Sequence, residues 1–411
     1  MTNTRKSGAF LVVSIILIAM CLRGPITGVG PLVTTLQELL GLSGTVAGLL
    51  TTLPLITFAV VSFATAPLAR KMGIGKLMFF SLIVLFIGLA VRSFCGTSGL
   101  FIGTVILACG IGCNNVLLPV VIKSKFPAHI GTLTGVYTTL MAGFASISSG
   151  TSVPLTNAFS SVFGSAFGWK LALCIWLILV VFAFFFWLPY MNQSFDDQDE
   201  LSSGSTDTSK QSAGRRSVAC SAISWYITLF MGFQSMVFYF TVSWFATILQ
   251  SYGFSPAQSG IYNMLMMLCG LPGSFIMPIV ASRTKHQSFW GALIGFLYAL
   301  GMISLLFAYN PVGLVITIIT NGFGSGAAIA FCMVLIGLHT KDSRDASSLS
   351  ALSQGVGYIF AAVAPVLMGT IFDATGSWTV PLIVMTVIGI ACTVCGWLSG
   401  LNRIVDTSLK G

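Results

Sequence analysis

Charge is what this chain has least of. Only 7% of its 411 residues are Asp, Glu, Lys or Arg, against 55% apolar residues. Soluble domains devote about a quarter of their residues to charge, so a water-exposed globule is excluded. Acids are scarcer still, ten against 19 lysines and arginines. Glu38 and Asp373 fall at the ends of apolar runs, while Asp196, Asp197, Asp199, Glu200, Asp207, Asp342, Asp345 and Asp406 fall in polar tracts. This distribution argues against a carboxylate relay inside a membrane and leaves uniport, exchange, or symport in which the proton travels on the substrate. The three histidines, His129, His286 and His339, lie in or beside loops and assemble no nucleophile site and no metal spacing. Enzymatic activity, a resident metal and a cofactor are therefore not expected, and no catalytic residue is assigned. Ten cysteines lie almost all in apolar runs, the tightest pair being Cys392 and Cys395, and read as small apolar side chains. Period-two alternation is missing, which excludes a membrane barrel. The net charge of +9 follows the polar tracts rather than one basic face, so nucleic acid is not an expected partner.

What the chain does have is apolar runs of about 20 residues, the length a helix needs to cross a bilayer. With mean hydropathy +0.95, they predict an all-α membrane protein of twelve transmembrane helices in two pseudo-symmetric six-helix bundles. The expected spans are about 10–31, 45–67, 76–95, 99–122, 131–153 and 169–190, then 218–249, 257–281, 288–309, 312–338, 346–371 and 378–401. The first run is too long for a signal peptide and has no small-residue cleavage site, so it stays as a helix. Residues 191–216, rich in Ser, Asp and Gly, read as a flexible cytoplasmic linker between bundles over 1–190 and 217–411. Gly41-Leu42-Ser43 offers an N-cap for the second span, and Ser255-Pro256 one for the eighth.

Lysine and arginine set the expected orientation. An even span count places both termini on one side, and sixteen basic residues fall on that face. Arg92 and Lys170 fall on the other, and Arg23 lies within a span. The basic face is cytoplasmic by the positive-inside rule, giving a multi-pass protein of the cytoplasmic membrane with both termini inside. Shifting the sequence by 212 positions carries Gly41-Leu42-Ser43 onto Gly253-Phe254-Ser255, and Gly110 and Gly112 onto Gly322 and Gly324. Two repeated halves follow from that register. Glycines 322, 324 and 326 have no strand before them, so they serve helix packing rather than a phosphate loop.

Arg23 is the charge placed deepest in a span. A guanidinium at mid-bilayer costs roughly 2.5–3.5 kcal/mol on insertion scales, so it is kept beside a partner, a cavity or a substrate. With no acid near it in sequence, it suits a small anion or a strongly dipolar molecule. The competing reading has Arg23 tie helices together through carbonyls freed at Gly24 and Pro25. Gly24, Pro25, Gly28 and Pro31 form an expected hinge that lets the first helix break around a site. The 212 shift sends Arg23 to Ser235, beside Gln234. Asn114 and Asn115 are intramembrane amides about 100° apart on one helix, so one lines a cavity while the other bonds a neighbour, with Asn115 favoured for the cavity. Gln354 and Tyr358 share a helix face, as do Tyr137 and Met141, and these could shape a polar pocket or simply pack.

Three segments carry a family resemblance. They are Leu22-Arg23 through Gly30-Pro31-Leu32, Gly110-Ile111-Gly112 through Asn115-Val116-Leu117-Leu118-Pro119 with Ile122-Lys123-Ser124-Lys125-Phe126, and Gln354-Gly355-Val356-Gly357-Tyr358 with Ala364-Pro365. Together they resemble the cyanate permease and 2-nitroimidazole transporter family of the major facilitator superfamily, over essentially the whole chain. Arg70 departs from the superfamily pattern, which has an acid there. The resemblance implies the major facilitator fold without fixing the substrate. The reading of Arg23 adds a secondary active or facilitative transporter that moves a small anion or polar molecule across the cytoplasmic membrane by alternating access around a central cavity containing Arg23. Its alternatives are export of 2-nitroimidazole-like or other drug molecules, and a membrane sensor that moves nothing. The expected partners are that small-molecule substrate and the lipid bilayer, with the chain acting as a monomer.

Overall fold

The computed structural model describes residues 2–41, 44–195 and 218–405. Among these, every regular element is helical: α1 Thr2–Cys21, α2 Gly24–Thr27, α3 Val33–Leu40, α4 Gly44–Met72, α5 Ile74–Phe94, α6 Gly96–Lys125, α7 Ile130–Phe163, α8 Ser165–Cys174, α9 Trp176–Trp187, α10 Ala222–Ser251, α11 Pro256–Arg283, α12 Ser288–Leu305, α13 Pro311–Leu338, α14 Ser343–Thr375 and α15 Thr379–Ser399. Helix is what these compositions force in lipid, because each backbone polar group then finds its partner within the segment. Among the described residues, twelve spans are long and apolar enough to cross a membrane. Two of them join more than one α-helix. The first, Gly8–Leu32, runs through α1, α2 and a 3-10 turn at Gly30–Leu32, and the sixth, Ser165–Tyr190, through α8 and α9.

The 212-residue register extends to the elements themselves. It carries α4 from 44 to 256, where α11 begins, and α7 from 130–163 to 342–375, over α14. The turns repeat as well. Gly41 and Gly253 have φ of +65° and +94°, and Gly164 and Gly376 have +85° and +65°. That left-handed region is open to glycine at little cost, so the same residue type ends the matching helix in each half. The fifth span outruns its expected end the furthest: α7 continues through Pro154 to Phe163 rather than stopping near 153, since membrane helices tolerate proline. Ser255 opens α11 with a full capping box. Its hydroxyl accepts from Gln258 N at 3.2 Å, and its own N–H donates to Gln258 Oε1 at 3.0 Å. Residues 42 and 43 of the other expected cap, and the linker beyond residue 195, lie outside the described residues.

The chain gathers into two compact units, Met1–Leu118 with Val136–Ser194, and Pro119–Gly135 with Phe195–Gly411. In the first, α1 lies along α9, with Phe10 stacked on Phe186 at 4.7 Å and Ser14 Oγ donating to Phe186 O at 2.8 Å. In the second, α11 packs on α13, α12 on α15 and α10 on α14. A side chain on Gly326 would sit 1.8 Å from Gly270 O, so the glycines of α13 serve close helix approach. Lys123, at the end of α6, is buried and donates to Gly337 O, Thr340 O and Thr340 Oγ1. A cation thus caps the carbonyl end of α13, where the helix dipole favours it. Nearby, His339 Nδ1 bonds Arg403 O at 2.6 Å, and Val405 N–H donates to His339 O at 2.8 Å.

Candidate functional site

In the first unit the chain breaks at Arg23. Helix α1 stops at Cys21, Arg23 takes φ −123° and ψ −40°, and α2 starts at Gly24 with Pro25 in its first turn. Proline's missing N–H and fixed φ make this a natural restart point. Backbone bonding here is short-range, Val29 N–H turning to Ile26 O at 3.2 Å, so Pro25 O takes no bond from it. Side chains from α5 and α7 add bonds to the break. Ser148 Oγ on α7 donates to Gly24 O at 2.6 Å, and Thr27 Oγ1 donates to Ala145 O at 3.0 Å. Arg92 Nη1 on α5 donates to Pro25 O at 2.6 Å. Gly24 O thus accepts from Gly28 N–H at 3.3 Å as well as from Ser148, and Pro25 O accepts from Arg92. Close approach depends on glycine: a Cβ on Gly24 would meet the Trp176 ring at 2.6 Å, and one on Gly28 would meet Ser148 Oγ at 2.5 Å. Beyond the break, Val29 and Leu32 enter an apolar cluster with Leu36, Leu50, Leu100, Trp169 and Leu173. Pro31 lies in the 3-10 turn. Arg23 is half-buried.

The sequence assigns Arg92 to the outer end of its span and says nothing of what covers it. In the structure Arg92 lies in the last turn of α5 at 0% exposure. The cause is helix packing: a Cβ on Gly103 of α6 would lie 2.2 Å from Arg92 N, so α5 is pressed against α6 at that residue. The signal was present, because Phe94 and Cys95 carry the apolar run past Arg92. What composition does not carry is which neighbour closes over it.

The paired amides part company. Asn114 is fully buried, and its Nδ2 donates to Ser81 Oγ of α5 at 2.7 Å and to Gly110 O at 2.9 Å. Asn115, one residue on, is buried at 6% exposure, and Tyr137 of α7 at 3%. In the second unit, Gln234 Nε2 donates to Ser235 Oγ at 2.8 Å and lies 3.2 Å from Met231 Sδ. Gln354 Nε2 donates to Ser350 Oγ at 2.9 Å, and Tyr358 is buried one turn away. These two groups are neighbours, since α10 and α14 meet with Thr228 Oγ1 3.3 Å from Ser353 Oγ and Gly357 facing Met231. The unit therefore brings Gln234, Gln354 and Tyr358 to one helix pair, while Arg23, Asn114, Asn115 and Tyr137 belong to the other unit. The symmetry fails at Arg23: its counterpart Ser235 sits in an unbroken α10.

The Major Facilitator Superfamily pattern matches residues 15–362. The chain belongs to that superfamily. Within it the chain is 34% identical to the 2-nitroimidazole transporter of Escherichia coli (strain K12), over 97% of each chain. It is 24% identical to the cyanate transport protein CynX of the same organism, over 89% of this chain and 90% of that one. The solved proton:xylose symporter XylE shares the fold, with TM-score 0.73 over 98% of each chain at 14% identity. This facilitator is thus a multi-pass membrane transporter of small molecules, in the family of the cyanate and 2-nitroimidazole transporters.

Proposed function

We propose that this facilitator carries a small anion or strongly dipolar molecule, cyanate-like in size and charge, across the cytoplasmic membrane by alternating access, with Arg23 as its binding group. The observation that carries this reading is the place of Arg23, half-buried where α1 ends and the first span restarts at Gly24. A half-buried guanidinium at a helix restart can donate several bonds to an anion at once. Asn115 and Tyr137 in the first unit, and Gln234, Gln354 and Tyr358 in the second, are the polar residues proposed to recognise the cargo. Asn114 is spent on Ser81. Transport needs no protein carboxylate inside the membrane, since Asp342 and Asp345 open α14 and Asp373 lies in its last turns. Both termini face the cytoplasm in this reading, because sixteen basic residues share that side.

A second reading, export of 2-nitroimidazole-like molecules with a nitro group against Arg23, is favoured by the identity to the 2-nitroimidazole transporter. Counterflow in proteoliposomes tests both. Radiolabelled cyanate is expected to exchange with wild type, Arg23→Gln to weaken apparent affinity about 10- to 150-fold for the loss of charged hydrogen bonds, and Arg23→Lys to recover part of it. An Arg23→Gln affinity within twofold of wild type would overturn the role of Arg23. Exchange of 2-nitroimidazole without cyanate exchange selects the second reading, and absence of any flux selects a sensor.

A further inference from the structure

Arg92 is the least expected charge in this protein. It sits 67 residues from Pro25 in sequence, at 0% exposure, and its Nη1 donates to Pro25 O at 2.6 Å. That carbonyl lies two residues after Arg23, and the backbone leaves it open because Val29 N–H bonds Ile26 O instead. Nε and Nη2 of Arg92 have no hydrogen-bond partner among the described residues. A neutral hydroxyl can satisfy such a carbonyl, and Ser148 supplies one to Gly24 O beside the bond from Gly28 N–H. Burying a guanidinium with two unbonded nitrogens is costly for a stability role alone. The cation also has little in its own unit to offset it. Residues 1–118 and 136–194 contain one acid, Glu38, beside Arg5, Lys6, Arg23, Arg70, Lys71, Lys76, Arg92 and Lys170.

We infer that Arg92 is a positioning residue of the transport site: by bonding Pro25 O it fixes where the first span restarts, and so where Arg23 is presented. The inference rests on the reading of Arg23 as the binding group. The break is clamped from two helices, by Ser148 and Ala145 of α7 and by Arg92 of α5, while Val29 and Leu32 anchor the segment that follows. Loosening the α5 clamp frees the segment that orients Arg23 while leaving Arg23 itself in place.

The test pairs hydrogen exchange with transport on the full chain. In Arg92→Met, amide exchange over residues 22–32 is expected to accelerate at least fivefold while α12 exchanges as in wild type. The KM for cyanate counterflow is expected to rise at least fivefold. Arg92→Lys, which keeps a charged donor, is expected to recover a large part of both. If Arg92→Met does not fold, Arg92→Gln with its neutral N–H donor replaces it, with an intermediate effect expected. Unchanged exchange over 22–32 overturns the inference. So does acceleration shared equally by α12, which is general destabilisation, and so does local acceleration with KM unchanged. Arg23→Gln is run beside these variants. An unchanged KM there removes the Arg23 reading, whereas the exchange result for Arg92 needs no substrate and fails or holds by itself.

Discussion

Replacing Gly28 by alanine puts the packing around the helix break to a direct test. Gly28 has φ −67° and ψ −17°, so alanine fits the backbone, and helix propensity alone would stabilise the variant by up to about 1 kcal/mol. Packing opposes that gain. The new Cβ would stand 2.5 Å from Ser148 Oγ and 2.8 Å from Ser152 Oγ, well inside van der Waals contact. Forcing a methyl into a filled site costs roughly 1–3 kcal/mol. Moving Ser148 also breaks its bond to Gly24 O, worth about 1 kcal/mol. The balance is a loss of about 1–3 kcal/mol. At roughly 2–4 °C per kcal/mol for a unit of this size, Tm in detergent should fall by roughly 2–12 °C. The clash and the lost bond share one hydroxyl, so Ser148→Ala should offset part of the damage, with a coupling of about 1 kcal/mol in the double-mutant cycle. A Gly28→Ala protein as stable as wild type, or a strictly additive cycle, would refute the close approach of α7 to the break.

Two further outcomes follow from bonds elsewhere. Asn114→Ala should lower stability by about 1–3 kcal/mol, since it leaves Ser81 Oγ without its 2.7 Å donor, with little change in cyanate KM. Asn115→Ala should do the reverse, and thermal melts beside counterflow kinetics separate the two. His339 supplies a pH test. Burial pushes its pKa below the ordinary histidine value, against the raising effect of its bond to Arg403 O. The folded chain therefore binds fewer protons there than the unfolded one, and stability rises with pH. That contribution is full above about pH 6.5 and is lost as pH falls from there through the folded value. Melts between pH 7.5 and 5.5 should show a decline in wild type that is flatter in His339→Gln, and parallel curves would refute it.

Much of the architecture was legible in the sequence because it depends on local quantities. A run of about 20 apolar residues declares a span whatever packs against it. A repeat of 212 positions declares two halves, and the elements keep that register from α4 and α11 to α7 and α14. Gly41 and Gly253 repeat because a left-handed turn favours glycine wherever the helix ends. The family was legible as well, through segments such as Leu22-Arg23 to Leu32.

Bonding inside the helix packing was not legible, because it depends on partners distant in the chain. Sequence spacing says that Asn114 and Asn115 point different ways, yet the presence of Ser81 across α5 assigns the bond to Asn114. It marks Gly24 and Pro25 as a weak point in a helix. That Ser148 and Arg92, 124 and 67 residues away, bond the carbonyls there is a property of assembled helices. That α6 closes on Arg92 at Gly103 is likewise invisible in the sequence around it. Local composition therefore determined which segments enter the membrane, and tertiary packing decided which charges are buried and what they bond, because a hydrogen bond in lipid is made by whichever donor the neighbouring helix presents.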